Sequence, residues 1–117
     1  MRTEHYMPGD LLVGDYPVAV RAVTIAGAQG VLKRGTVLGE AAGKYLLSAS
    51  ASSDGSEVPS LVLAIDVDTT AGDVVKDAYA SGGFDAAKLI YGTGHTAASV
   101  ESAFRKASAP LYLNALA

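Results

Sequence analysis

Gly92-Thr93-Gly94-His95-Thr96-Ala97 has the spacing G-x-G-x-x-A. Between a strand and a helix, that spacing lets backbone amides approach a pyrophosphate at the helix N-terminus. The same chemistry needs a second parallel strand and an acid about twenty residues further on to hold the ribose hydroxyls. No acid follows Glu101, so the six residues are expected to form a tight strand-to-helix turn. Asp66, Asp68, Asp73 and Asp77 suggest a calcium loop. Counted from Asp66, however, position six is Ala71 where glycine is required, and position twelve is Asp77 where glutamate is usual. A polar turn is expected there. His5 and His95 lie ninety residues apart, neither with a second ligand at short spacing, and G-x-S-x-G does not occur. The inventory points to no catalytic residue, no cofactor site and no metal site.

The elements that carry these residues read as short strands with turn punctuation. Val23 to Ile25 is one strand. Val31-Leu32 and Val37-Leu38 flank a corner at Arg34-Gly35, and Lys44 to Ala49 follows. The pair Lys33-Arg34 fits a solubilising hairpin tip better than a dock for an acidic partner. Pro59 suits a strand start, since it cannot donate to a ladder. Leu61 to Val67 alternates too little for a half-buried strand and is the candidate for a central, twice-covered one. Asp73 to Tyr79 and Lys88 to Tyr91 are expected strands, separated at Ser81-Gly82-Gly83. The one helix runs from Ala97 to Ala107. Thr96 is its N-cap; Val100, Ala103, Phe104 and Ala107 share a face; Arg105 and Lys106 sit in the last turn. Pro110 follows, and Leu111 to Leu113 forms a last strand.

The 117 residues suit one domain, and a hydrophobic share of 50% supports a packed core, although there is no Trp and only two Phe. Cysteine is absent, so disulfides and thiolate zinc sites are excluded. The net charge is −3 and the nine basic residues are scattered, which argues against nucleic acid as a partner. Leu61 to Ile65, the longest apolar run, is too short to span a bilayer, and MRTEHYMPGD lacks the apolar core of a secretory signal. A chain made in a reducing cytoplasm, with no membrane partner, is expected.

Residues 1–22 differ from the rest. They are polar at the start, broken by Pro8-Gly9, Gly14 and Pro17, and apolar only briefly at Leu11-Leu12-Val13. They read as an extended arm before a compact β domain at 23–117, with a first edge strand of the domain as the alternative. Tyrosine is favoured at interfaces because it is large, rigid and polar at one end. Tyr6, Leu11, Leu12, Val13 and Tyr16 are therefore the candidate contact residues of the arm, with packing back on the domain an equal alternative for the two tyrosines.

Taken in order, Val23 to Gly39, Gly43-Lys44-Tyr45, Ser53 to Ser56, Leu63 to Asp73, Gly83-Phe84-Asp85, Gly92 to Ser99 and Leu111-Tyr112-Leu113 resemble the head decoration proteins of lambda-like tailed phages. The resemblance covers roughly residues 15 to 117 and is weakest over 1–14. It implies a mainly β fold with a minor α part: a small β-clip-like barrel of short strands with one C-terminal helix and an extended N-terminal arm. It implies a homotrimer on the outside of the expanded capsid at three-fold sites, bound to the major capsid protein, made in the bacterial host cytoplasm and without catalysis. It also implies an arm that pairs its backbone with the shell. A small β module that binds glycans or a host surface from the virion is the alternative reading, which the absence of Trp disfavours.

Overall fold

The computed structural model describes residues 11–12 and 16–114. In chain order the elements are β1 (Ala19–Ile25), β2 (Val31–Leu32), β3 (Val37–Ala41), β4 (Lys44–Leu47), β5 (Pro59–Leu63), β6 (Val67–Asp68), β7 (Val74–Asp85), a 3₁₀ turn (Ala86–Lys88), α1 (Ala97–Lys106) and β8 (Leu111–Asn114). The order β1-β4-β3-β5-β7, closed by β1 pairing with β7, makes a five-stranded barrel. β8 adds to β7 in parallel, Gly82 to Leu111 through Asp85 to Asn114, and β2 pairs with β6 alone. The mainly β fold with one helix expected from the sequence is the fold observed.

Local chemistry explains the elements. Pro59 opens β5, and β5 lies between β3 and β7 with Leu61, Val62 and Leu63 all buried. The β3–β4 hairpin closes with Ala41 opposite Lys44. Its two central residues, Ala42 and Gly43, both have positive φ, at 53° and 86°, as a turn matching the twist of a hairpin requires. Thr96 caps α1: its Oγ1 accepts from the Ser99 amide at 3.2 Å, and Ser99 Oγ accepts from the Thr96 amide at 2.9 Å. Val100 and Phe104 then face the interior, fully buried.

The core is two clusters. Val37, Val62, Tyr79, Phe84, Val100, Phe104 and Leu111 anchor one beneath the helix. Val23, Ile25, Leu38, Leu61, Leu63 and Ala78 anchor the other inside the barrel.

Three local expectations are corrected. Leu61 to Val67 is not one strand. β5 ends at Leu63, and Asp66 turns away so that its Oδ1 accepts from the Arg34 amide at 2.7 Å. Ser81-Gly82-Gly83 does not separate strands but lies inside β7. A Cβ at Gly82 would make only ordinary contacts with Leu12, Val18 and Phe84; its φ of +143° is what favours glycine there. Lys88 to Tyr91 is not a strand. Asp85 Oδ1 accepts from the Ala87 amide at 3.0 Å and starts a 3₁₀ turn, after which Ile90 makes only an isolated bridge to Thr36. The boundary drawn at residue 22 falls inside β1.

Candidate functional site

The residues read as chemistry are each committed to structure. His95 Nε2 is 2.8 Å from the Glu57 carbonyl and Nδ1 is 2.9 Å from Ser99 Oγ, so the ring ties the β4–β5 loop to the start of α1. Gly92 to His95 makes the turn into the helix, with the His95 amide donating to the Gly92 carbonyl at 3.0 Å. The carboxylates of the calcium-like stretch diverge. Asp66 meets the Arg34 amide and Lys33, Asp68 accepts from the Thr70 amide at 2.9 Å, and Asp73 accepts from the Gly27 amide at 2.8 Å and pairs with Lys44 at 2.6 Å. Among the described residues, no three acidic or histidine side chains gather as a metal set would.

These turn carboxylates have a titration consequence. Hydrogen bonds from the Ser56 hydroxyl and amide hold Asp54 below the usual carboxylate range. Thr70 does the same for Asp68, and Lys44 with the Gly27 amide for Asp73. A pKa lowered in the folded state adds stability that is complete above the unfolded value, about 4, and is lost as pH falls through the folded value. The melting temperature is therefore expected to drop as pH falls below about 4, and less steeply for Asp73→Asn. Thermal melts across that range check this; an Asp73→Asn profile parallel to wild type would remove Asp73 from the account.

The arm candidates are more informative. Tyr6 and Val13 lie outside the described residues. Leu11 is buried: its carbonyl accepts from the Asp85 amide at 2.8 Å, and its methyl groups pack over Gly35. Leu12 forms an antiparallel bridge with Phe84 and rests on the same core. Tyr16 stacks on Tyr112, with ring centroids 4.5 Å apart and planes 20° from parallel. The Arg105 guanidinium lies 4.3 Å from the Tyr112 centroid. Arg105 is itself fixed by Glu101 at 2.9 Å and by the carbonyls of Ala109 and Leu111. The next link is Ser81 Oγ, which donates to the Pro17 carbonyl at 2.9 Å.

The structure thus brings Leu11, Leu12 and Tyr16 to one end of the molecule, where β7 meets β8. The signals the sequence could offer were an apolar pair in a polar segment and a lone aromatic. The partners of both, Phe84 and Tyr112, lie 72 and 96 residues along the chain and have no local signature. Sequence reasoning missed Arg105 and Tyr112 as the clasp for Tyr16.

A family model described as Bacteriophage lambda head decoration protein D matches residues 1–110, spanning both the N-terminal segment and nearly all of the barrel domain. No curated protein matches the chain significantly.

Proposed function

Because the chain belongs to the bacteriophage lambda head decoration protein family, whose role is structural and whose place is the capsid surface, we propose that it binds the outside of the expanded head as a homotrimer. It sits at three-fold sites on the major capsid protein and holds neighbouring capsomers against the pressure of packaged DNA. The observation that carries this reading is the family match over residues 1–110, which takes in the N-terminal segment as well as the barrel. In this reading the N-terminal residues are the shell-binding arm. Leu11, Leu12 and Tyr16 fasten its root to the barrel, and Tyr6 and Val13 contact the shell.

Physical chemistry makes such an arrangement effective. Each backbone hydrogen bond an arm adds is worth only about 1 kcal/mol net. Three arms on one trimer act through effective concentration, which raises avidity by about 10²–10⁴ over one arm. A ligand that binds only the expanded shell stabilises that state by mass action.

The test is cosedimentation with expanded and unexpanded shells of the parent phage that lack this protein. It uses the full chain and a version beginning at Asp10, which keeps the root. Saturable binding of the full chain to expanded shells alone, weakened at least a hundredfold without the arm, is expected. Failure of the full chain to bind either shell would overturn the reading.

A further inference from the structure

β8 ends the main sheet. Its inner edge is bonded to β7: the Gly82 amide donates to the Pro110 carbonyl at 3.0 Å, and the register sets Gly82 beside Leu111 and Phe84 beside Leu113. Successive residues of a strand bond to opposite sides, so Leu111 and Leu113 turn their backbone groups outward. Among the described residues, no strand lies beyond that edge. The strand reads Leu111-Tyr112-Leu113-Asn114. It carries neither the charge nor the proline that usually protects an edge.

Two side chains of α1 stand where the next strand would be. The Arg105 guanidinium donates to the Leu111 carbonyl, and Glu101 Oε1 accepts from the Leu113 amide at 3.0 Å. Arg105 Nε and Glu101 Oε2 join the two at 2.9 Å. A neighbouring parallel strand would satisfy this carbonyl and this amide with the N–H and C=O of one residue. Here the guanidinium supplies the N–H and the carboxylate supplies the oxygen, so the pair reproduces one residue of a strand. Arg105 also wraps around the edge. It reaches the Tyr112 ring, 4.3 Å from its centroid, while Leu111 and Leu113 pack in the core beneath the helix. Bracing the helix alone does not account for this geometry. A half-exposed ion pair one turn apart contributes little and needs no bond to another strand, yet both partners direct their remaining groups at β8.

We propose that Glu101 and Arg105 form a built-in plug on the β8 edge, holding shut a strand-pairing surface whose partner is a second copy of this chain. Self-complementarity selects that partner. In an antiparallel pair about a two-fold axis at Tyr112, the Leu113 amide of each copy meets the Leu111 carbonyl of the other. Those are the two groups that the plug covers. Plug and second copy therefore compete for the same donor and acceptor, and two sheets join only when the plug is displaced. The device is independent of shell binding, so failure of the cosedimentation test leaves it standing.

Sedimentation of the full chain over a range of concentrations, with hydrogen exchange at Leu113, tests the plug. The wild-type Leu113 amide is expected to be protected about tenfold or more by the Glu101 carboxylate. The double variant Glu101→Ala, Arg105→Ala is expected to gain an association step that wild type reaches only at concentrations about tenfold higher, if at all. Its Leu113 amide should exchange fast when dilute and slowly when concentrated. Glu101→Gln and Arg105→Lys keep an acceptor and a donor, and each is expected to sediment as wild type does. A pair that only braces the helix would lower the melting temperature of the alanine variant and leave its association unchanged. That result, or association without protection at Leu113, overturns the proposal. If the double variant fails to fold, Glu101→Ala alone is read in the same way. In wild type, a Leu113 amide as fast as in the unfolded chain also overturns it.

Discussion

Phe84→Ala is expected to lower stability by about 3–5 kcal/mol, the usual loss when a buried phenylalanine leaves a cavity its neighbours cannot fill. Phe84 is completely buried near the end of β7 and belongs to the same cluster as Leu11, Val37, Val62, Leu89, Val100, Phe104 and Leu111. Its ring lies 5.4 Å from that of Tyr79, tilted by 56°. Its backbone bridges Leu12 on one side and pairs with Leu113 of β8 on the other. A small domain holds roughly 5–15 kcal/mol in all, so this one change removes a large fraction. Urea unfolding with an unchanged slope and a lowered midpoint is the measurement. A midpoint close to wild type would mean that the helix-side core is not centred on Phe84. The effect should reach function as well. Leu12 rests on this cluster, so the variant is also expected to loosen the root of the arm, read as faster exchange at residues 11–12.

How far the sequence carries depends on whether the deciding contact is local. Thr96, Val100 and Phe104 announce helix α1 because a cap and a 3.6-residue stripe lie within ten residues. Pro59 marks the start of β5 for the same reason: its missing amide is a property of one residue. Gly82-Gly83 misleads because glycine reads locally as a breaker. What keeps it in β7 is the ladder to β8, Gly82 opposite Leu111 and Gly83 opposite Tyr112, whose partners lie nearly thirty residues further on. Lys88 to Tyr91 misleads in the opposite way. Its β-prone residues are overridden by Asp85, whose carboxylate caps a 3₁₀ turn. The site follows the same rule. Leu11, Leu12 and Tyr16 could be picked out as apolar residues in a polar segment. That they clasp Phe84, Asp85 and Tyr112 is a matter of topology.

Gly92→Ala gives the second large effect, and it decides what the G-x-G-x-x-A spacing is for. A Cβ at Gly92 would sit 1.9 Å from the Ser48 carbonyl oxygen, 2.7 Å from the Ser48 carbonyl carbon and 3.2 Å from the Ala49 Cα. All three are backbone atoms, and the Ser48 amide is itself bonded to the Val37 carbonyl at 2.9 Å, so the wall cannot yield without pulling on β3. The methyl group is expected to cost about 3 kcal/mol, the upper end for inserting an atom into a packed site. Gly94 is the contrast. A Cβ there meets the terminal Oγ of Ser50, which can rotate aside, and the Ser50 Cβ at 3.0 Å, which must give by a few tenths of an ångström; its φ of +86° adds to the penalty. Gly94→Ala is expected to cost about 1–2 kcal/mol, the ordinary penalty for a left-handed residue with a side chain. A phosphate loop would make both glycines matter through the ligand, and its substitutions would spare the ligand-free protein. Here the order Gly92→Ala well below Gly94→Ala below wild type should appear in ligand-free melts, and millimolar dinucleotide should move none of the three. A dinucleotide-dependent rise confined to wild type would reverse the assignment and return Gly92 to Ala97 to the role its spacing first suggests.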